Sequence, residues 1–212
     1  MTKSMKLHDM TRAPNPRRVR IFIAEKQMED QIEYVQVDMA SMAHKQPAFL
    51  KMNPSGKIPV LELADGQAIS ESIAICRYLE ALQPEPNLMG RDAFEIGRIE
   101  MFDRQLDFEL FAPIGKAWIN GPVVAQIAAG RFEQLPAVKT QGEAETRRFY
   151  ERLDAQLADL AYMASDRFTV ADISALCMID FASDLVDLKP EEGHARLWDW
   201  HARVSNRPSA QA

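Results

Sequence analysis

The chain has 212 residues, 47% apolar and 26% charged, a composition long and apolar enough for a sizeable core, which excludes wholesale disorder. No run of about 18 apolar residues occurs and the first residues lack an apolar signal core, so neither a membrane span nor a secretory leader is expected, and the cytoplasm is the expected location. The net charge of −6 argues against general nucleic-acid binding, and Cys76 and Cys177 are too far apart for a CxxC motif and too few for a structural zinc site. Charge is unevenly spread: residues 1–82 carry 11 basic and 10 acidic side chains, residues 83–212 carry 14 and 21. The shift coincides with Gln83-Pro84-Glu85-Pro86-Asn87, which cannot continue a helix, so we expect a domain over 1–82, a linker over 83–92 and a second domain over 93–212.

Lys6-Leu7-His8 reads as a short strand, ended by a loop from Asp9 to Pro16. Val19, Phe22 and Ile23 recur with helical spacing, and Arg17, Arg18, Arg20, Glu25 and Lys26 take the other faces. Pro16 suits a first helical turn, and Asn15 suits the N-cap in front of it. Ile32 to Val37 alternates with period 2 as a half-buried strand does; one helix between two strands predicts a parallel βαβ unit. His44 to Met52 predicts a short helix, closed by Asn53-Pro54-Ser55-Gly56. Val60 to Leu63 and Ala68-Ile69 flank an Asp65-Gly66 turn signal and predict a hairpin, and Ser70 to Leu82 predicts a helix. The result is an α/β layer with a hairpin added at one edge.

The second domain reads as all helix. Phe94, Ile96, Ile99, Phe102, Leu106, Leu110 and Ile114 keep a helical period from Ala93 to about Asn120. A second long helix is expected over Glu143 to Met163. Thr169-Val170-Ala171-Asp172 is a capping signature before a helix from Ile173 to Val186, and His194 to Val204 closes the chain. Cys76 and Cys177 read as small buried hydrophobes, and His194 and His201 lack the spacing of a short metal pair; no metal is expected.

Two segments carry possible chemistry. Gly56-Lys57-Ile58-Pro59-Val60 leads into a strand through a proline, and a cis bond there turns the Ile58 N–H and C=O outward. Ser70-Glu71-Ser72 opens a helix, whose unpaired N–H groups and dipole suit an anion. Taken singly, Ser70 with Glu71 is an ordinary cap, and Lys57 and His44 are ordinary surface residues.

In combination these residues carry more. Phe49, Asn53-Pro54, Gly56 to Leu61, Asp65-Gly66, Ile69, Glu71-Ser72, Ala74-Ile75 and Tyr78-Leu79 strongly resemble the cytosolic glutathione transferase family, in particular bacterial theta-like and nu-like members. Pro14 to Phe22, Asp166 to Asp172 and Asn206-Arg207-Pro208 extend the resemblance over nearly the whole chain. It implies a thioredoxin-like N-terminal domain, an all-α C-terminal domain, a homodimer, and glutathione as co-substrate.

Carried over residue by residue, the resemblance assigns Glu71 and Ser72 to the γ-glutamyl end of glutathione, Ile58 to backbone pairing with its cysteinyl part, and His44 and Lys57 to its glycine carboxylate, with Lys45 a weaker candidate. The catalytic position departs from the pattern. The serine of theta-like and zeta-like classes falls on Ala13, which has no polar group; Asn15 either donates to the sulfur, as in Pro-Asn relatives, or merely caps the helix, and Thr11 is a second hydroxyl candidate. Phe108, Phe111 and Trp118 are candidates for an apolar wall facing an electrophile, and equally for core or dimer contacts. Glutathione-dependent disulfide reduction and a non-catalytic binding module are the alternatives to thiol transfer.

Overall fold

The computed structural model describes residues 5–128, 130, 131 and 133–212. The chain divides into two units, one running to Leu88 and rejoined by Pro208–Ala212, the other Met89–Arg207.

In the first unit β1 (Met5–Asp9) leads through α1 (Pro14–Glu25) to β2 (Ile32–Gln36). The hairpin β3 (Val60–Glu62) and β4 (Ala68–Ser70) follows α2 (Pro47–Met52), and α3 (Ser72–Leu82) ends the layer. The sheet order is β2-β1-β3-β4, with β1 parallel to β2 and antiparallel to β3, and the hairpin antiparallel. Thus the expected βαβ unit and hairpin are both present, the turn carried by Gly66 at φ 86°. Successive strand residues face opposite sides. Val60 therefore joins Phe49 of α2 and Val37 in one cluster, while Leu61 is buried on the other face. There α1 packs on α3, with Val19, Phe22, Ile75 and Leu79 all at 0% exposure.

The start of α1 differs from expectation: Ala13 is the N-cap, Pro14 takes the first helical position and Asn15 the second, so Asn15 does not cap. Residues 83–88 and the tail from Pro208 fold with this unit, whereas the sequence alone suggests a linker and part of the helical domain. Lys26 Nζ holds the carbonyls of Pro84 and Pro86 at 3.2 and 2.6 Å, Ser209 Oγ donates to Glu25, and Arg17 donates to the Ala210 carbonyl at 3.2 Å.

The second unit is helical: α4 (Ala93–Gln105), a π-helical stretch Leu106–Phe111, α5 (Ala112–Ile119), α6 (Pro122–Ile127), α7 (Pro136–Gln156), α8 (Val170–Leu185) and α9 (Ala195–Ser205). The π stretch replaces the expected uniform helix because Pro113 offers no N–H to the preceding turn. Phe94 and Ile96, which fit the apolar stripe by spacing, are 76% and 42% exposed. The helix expected over 143–163 instead begins at Pro136, which suits a first helical position, and ends at Gln156. Gly142 lets α7 approach α5 closely: a Cβ there would lie 2.5 Å from the Pro113 oxygen. Thr169 and Asp172 form the expected capping box, and Asp172 also accepts from Met163 N and Trp200 Nε1, tying α8 to its flanking segments. No helix among the described residues is long and apolar enough to cross a membrane.

Candidate active site

The sheet topology collects the relevant segments. The C-terminal ends of β1, β2 and β4 and the N-terminal end of β3 share one edge. From that edge the chain leaves toward Asn15, His44 and Glu71-Ser72, and it returns through Ile58. Five of the sequence-assigned residues therefore sit on segments that open at the same edge.

At the start of α3, Glu71 has φ 69° and ψ 120°, an unfavourable conformation for a residue with a Cβ. Its side chain is exposed and has no partner among the described residues. The next three N–H groups, of Ser72, Ile73 and Ala74, lack a cap or backbone partner among the described residues. A bare helix start beside a free carboxylate offers donors for an anion and an acceptor for a cation within two residues. That is the polarity of an amino-acid head group.

Ser72 is 5% exposed, and its Oγ accepts a 2.6 Å hydrogen bond from Arg18 Nη1. The same nitrogen donates at 3.2 Å to Asn15 Oδ1. Asn15 and Ser72, 57 positions apart in the sequence, are thus joined through one guanidinium that is 2% exposed. Arg20 is likewise buried: it donates to Asp9 Oδ1 at 2.6 Å and to the Thr11 carbonyl at 2.8 Å. Helical spacing puts Arg18 and Arg20 on faces away from the apolar stripe, and the structure buries both there. What spacing misses is the pairing that makes burial tolerable.

Thr11 Oγ1 donates to Gln36 Oε1 at 3.2 Å, and Gln36 in turn donates to Asp9. Its hydroxyl proton is therefore engaged within the loop. At the start of α1, Pro14 and Pro16 have no N–H, and the Ala13 N–H is bonded to the Met10 carbonyl. Among the described residues the Asn15 N–H has no partner, so Asn15 supplies the free donors of that helix start, one from backbone and two from the side-chain amide.

The Ile58-Pro59 peptide is cis, and the Ile58 N–H and C=O have no partner among the described residues. His44 is 7% exposed, and its Nδ1 is buried without a hydrogen-bond partner. Burial, helped by the charge of Lys45, holds its pKa below the ordinary histidine value, so the ring is neutral near pH 7. Lys45 donates to the carbonyls of Ser55 and Gly56 at 3.2 and 2.9 Å, closing the loop over Gly56, where a Cβ would lie 2.7 Å from its Nζ. The Lys57 side chain is exposed and has no partner among the described residues. Cys76 and Cys177 are both buried, and neither is in a disulfide.

In the helical unit, Trp118 packs edge-on to Phe181 at 5.3 Å and Phe111 lies 6.4 Å from the same ring, while Phe108 is 68% exposed. Two of the three aromatic candidates share a half-buried cluster and the third does not.

Residues 13–82 match the family model for the glutathione S-transferase N-terminal domain, and residues 133–203 match that for the C-terminal domain. The chain belongs to the glutathione S-transferase family. It is 34% identical to glutathione S-transferase 2 of Saccharomyces cerevisiae, over 100% of this chain and 90% of that protein. The crystal structure of Gtt2 from the same yeast superposes with a TM-score of 0.89 at 32% identity, over 97% of this chain and 98% of that one. A Gtt2-class glutathione S-transferase of Vibrio parahaemolyticus matches at TM-score 0.83 and 28% identity, over 98% and 96%. These likenesses favour neither the disulfide-reductase nor the non-catalytic alternative.

Proposed function

We propose that this protein is a glutathione transferase that binds glutathione at the sheet edge of its first domain, lowers the pKa of its thiol and presents the thiolate to an apolar electrophile. The observation that carries the reading is the pairing of an uncapped α3 start with the free Glu71 carboxylate, joined through Arg18 to the free donors of Asn15. Glu71 pairs the γ-glutamyl ammonium, and Ser72 with its neighbouring N–H groups takes the α-carboxylate. The unpaired Ile58 backbone groups pair with the cysteinyl residue as a strand would. Neutral His44 donates to the glycine carboxylate, and Lys57 adds a cation.

Asn15 then holds the sulfur. A thiol of pKa about 8.5 is only a few per cent ionised near neutral pH, and one charge-assisted hydrogen bond of about 1.5–3 kcal/mol lowers that value by one to two units. Asn15 supplies such a bond from backbone or amide, and the α1 dipole favours the same anion.

The protein acts as a cytoplasmic homodimer. Phe94, Met101 and Phe108 support the dimer: they are 76%, 54% and 68% exposed at seven-residue spacing along one helical run, an apolar surface suited to a second copy.

The test is calorimetric titration with glutathione. Glu71→Ala keeps a Cβ on the same backbone and so isolates the carboxylate, and Ser72→Ala isolates the hydroxyl. Each should weaken binding by at least about 1 kcal/mol. Wild-type affinity in both variants would refute the site.

A further inference from the structure

Asn15 and Ser72 are amphoteric. A side-chain amide offers a carbonyl as readily as an NH2, and a hydroxyl accepts as readily as it donates. Binding two anions, a thiolate and a carboxylate, requires that both groups present protons outward. A guanidinium has donors and no acceptor. Arg18 Nη1 carries two hydrogens, and it uses them on Asn15 Oδ1 and Ser72 Oγ. Its burial, at 2% exposure, keeps water from replacing it.

We propose that Arg18 is a positioning residue that occupies the acceptor side of both groups at once, leaving the Asn15 amide to offer its NH2 to the sulfur and the Ser72 hydroxyl its proton to the γ-glutamyl carboxylate. With the Asn15 oxygen held by a donor, a flipped amide would set NH2 against guanidinium, so the amide keeps one orientation. The Ser72 hydroxyl, accepting a short charge-assisted bond, turns its own proton away from Arg18 and becomes the stronger donor for it. One buried cation therefore sets the polarity of two subsites, one on α1 and one on α3. This rests on the reading of the site as a glutathione site.

The experiment measures two quantities in the full chain: the apparent thiol pKa of bound glutathione, from the thiolate ultraviolet absorbance against pH, and the affinity for glutathione. Arg18→Met should raise the thiol pKa by about one unit, a tenfold loss of thiolate at pH values below it, and should weaken affinity as well. Asn15→Ala should move mainly the pKa, and Ser72→Ala mainly the affinity. In the Asn15→Ala background Arg18→Met should leave the pKa where it already stands, because Arg18 acts on the sulfur through Asn15. Arg18→Lys separates orientation from charge: a lysine keeps the cation but not the planar fork, so it should restore at most one of the two quantities. It also carries the test if circular dichroism shows that Arg18→Met does not fold. A lysine that restores both quantities, an unchanged pKa in folded Arg18→Met, or a shift fully additive with Asn15→Ala overturns the positioning role. Wild-type protein that binds no glutathione overturns the site reading itself and Arg18's role with it; wild type that binds with a lowered thiol pKa, retained by the Arg18 variants, overturns only Arg18's role.

Discussion

Lys26 is 0% exposed, yet its ammonium donates to the carbonyls of Pro84 and Pro86, at 3.2 and 2.6 Å, and forms an ion pair with the carboxylate of Glu80. Its Nζ also lies 5.4 Å from the Phe22 ring centroid, and its own carbonyl accepts from Gln83. The other Glu80 oxygen accepts from the Leu88 N–H at 3.0 Å. One ion pair thus fastens residues 83–88 to α1 and α3. Lys26→Met leaves the Glu80 carboxylate and two carbonyls without their cation. Breaking a buried pair from one side costs about 3–5 kcal/mol, a large part of the roughly 5–15 kcal/mol that holds a domain folded. Converting Glu80 as well, to Leu in the Lys26→Met background, removes the stranded charge and should recover most of that loss. The buried thiols report each unit separately: Cys76 belongs to the first and Cys177 to the second. In limiting urea, Lys26→Met should speed the labelling of Cys76 by at least about a hundredfold and change Cys177 much less. Equal acceleration of both thiols, a loss under about 1 kcal/mol, or a double variant no better than the single would refute the clamp.

Gly142→Ala should destabilise by about 1–3 kcal/mol in urea melts even though alanine is the better helix former, because the Cβ meets backbone atoms of α5, the Pro113 oxygen at 2.5 Å and Ala117 N at 3.0 Å; a gain in stability would refute the close approach. Glu95 is held down to about 2, chiefly by its hydrogen bond from Arg167 and then by Arg91. Its folded pKa lies below the ordinary 4.5, so its contribution is complete above that value and is lost as pH falls toward about 2. Glu95→Gln should therefore flatten the acid arm of a melting-temperature profile below about pH 4.5, and an arm as steep as the wild type's would contradict the pairing. Met101→Asp should turn a dimer into monomers by sedimentation, with the fold retained by circular dichroism, if the exposed face of α4 meets a second copy; an unchanged dimer would place the contact elsewhere.

Local signals were legible where the physics is local. The strand read over Ile32 to Val37, the Asp65-Gly66 turn and the Thr169–Asp172 box each describe a geometry that needs only neighbouring residues, and each is present, although burial along the strand does not alternate because Tyr34 is exposed. The misreadings share a different cause. Periodicity puts Arg18 and Arg20 away from the apolar stripe without showing what buries them there, and their bonds to distant residues are not local: Ser72 lies 54 positions later and Asp9 lies 11 earlier. Lys26 is buried by carbonyls 58 and 60 positions away. Asn15 looks like a cap because Pro16 looks like a first helical residue, but Pro14 competes for that place and takes it, which frees the Asn15 side chain for Arg18. The π stretch before Pro113 is hidden because helical spacing alone does not register a missing N–H.

The same competition between prolines explains why the alanine at position 13 is compatible with holding a thiolate. A helix start ordinarily spreads its positive end over several N–H groups. In α1, Pro14 and Pro16 remove two of them and the Met10 carbonyl takes the one from Ala13. The remaining polarity is concentrated on Asn15, whose backbone N–H and amide NH2 are free while its amide oxygen is held by Arg18. A serine hydroxyl at position 13 would add one donor of about 1.5–3 kcal/mol toward an anion, the same order as either Asn15 donor. Two donors from one residue, their amide orientation set by a buried cation, therefore match or exceed what a single rotatable hydroxyl supplies. On the proposed reading, the absence of a hydroxyl at position 13 changes only which atoms would face the sulfur, with the electrostatics of the helix start carried by Asn15.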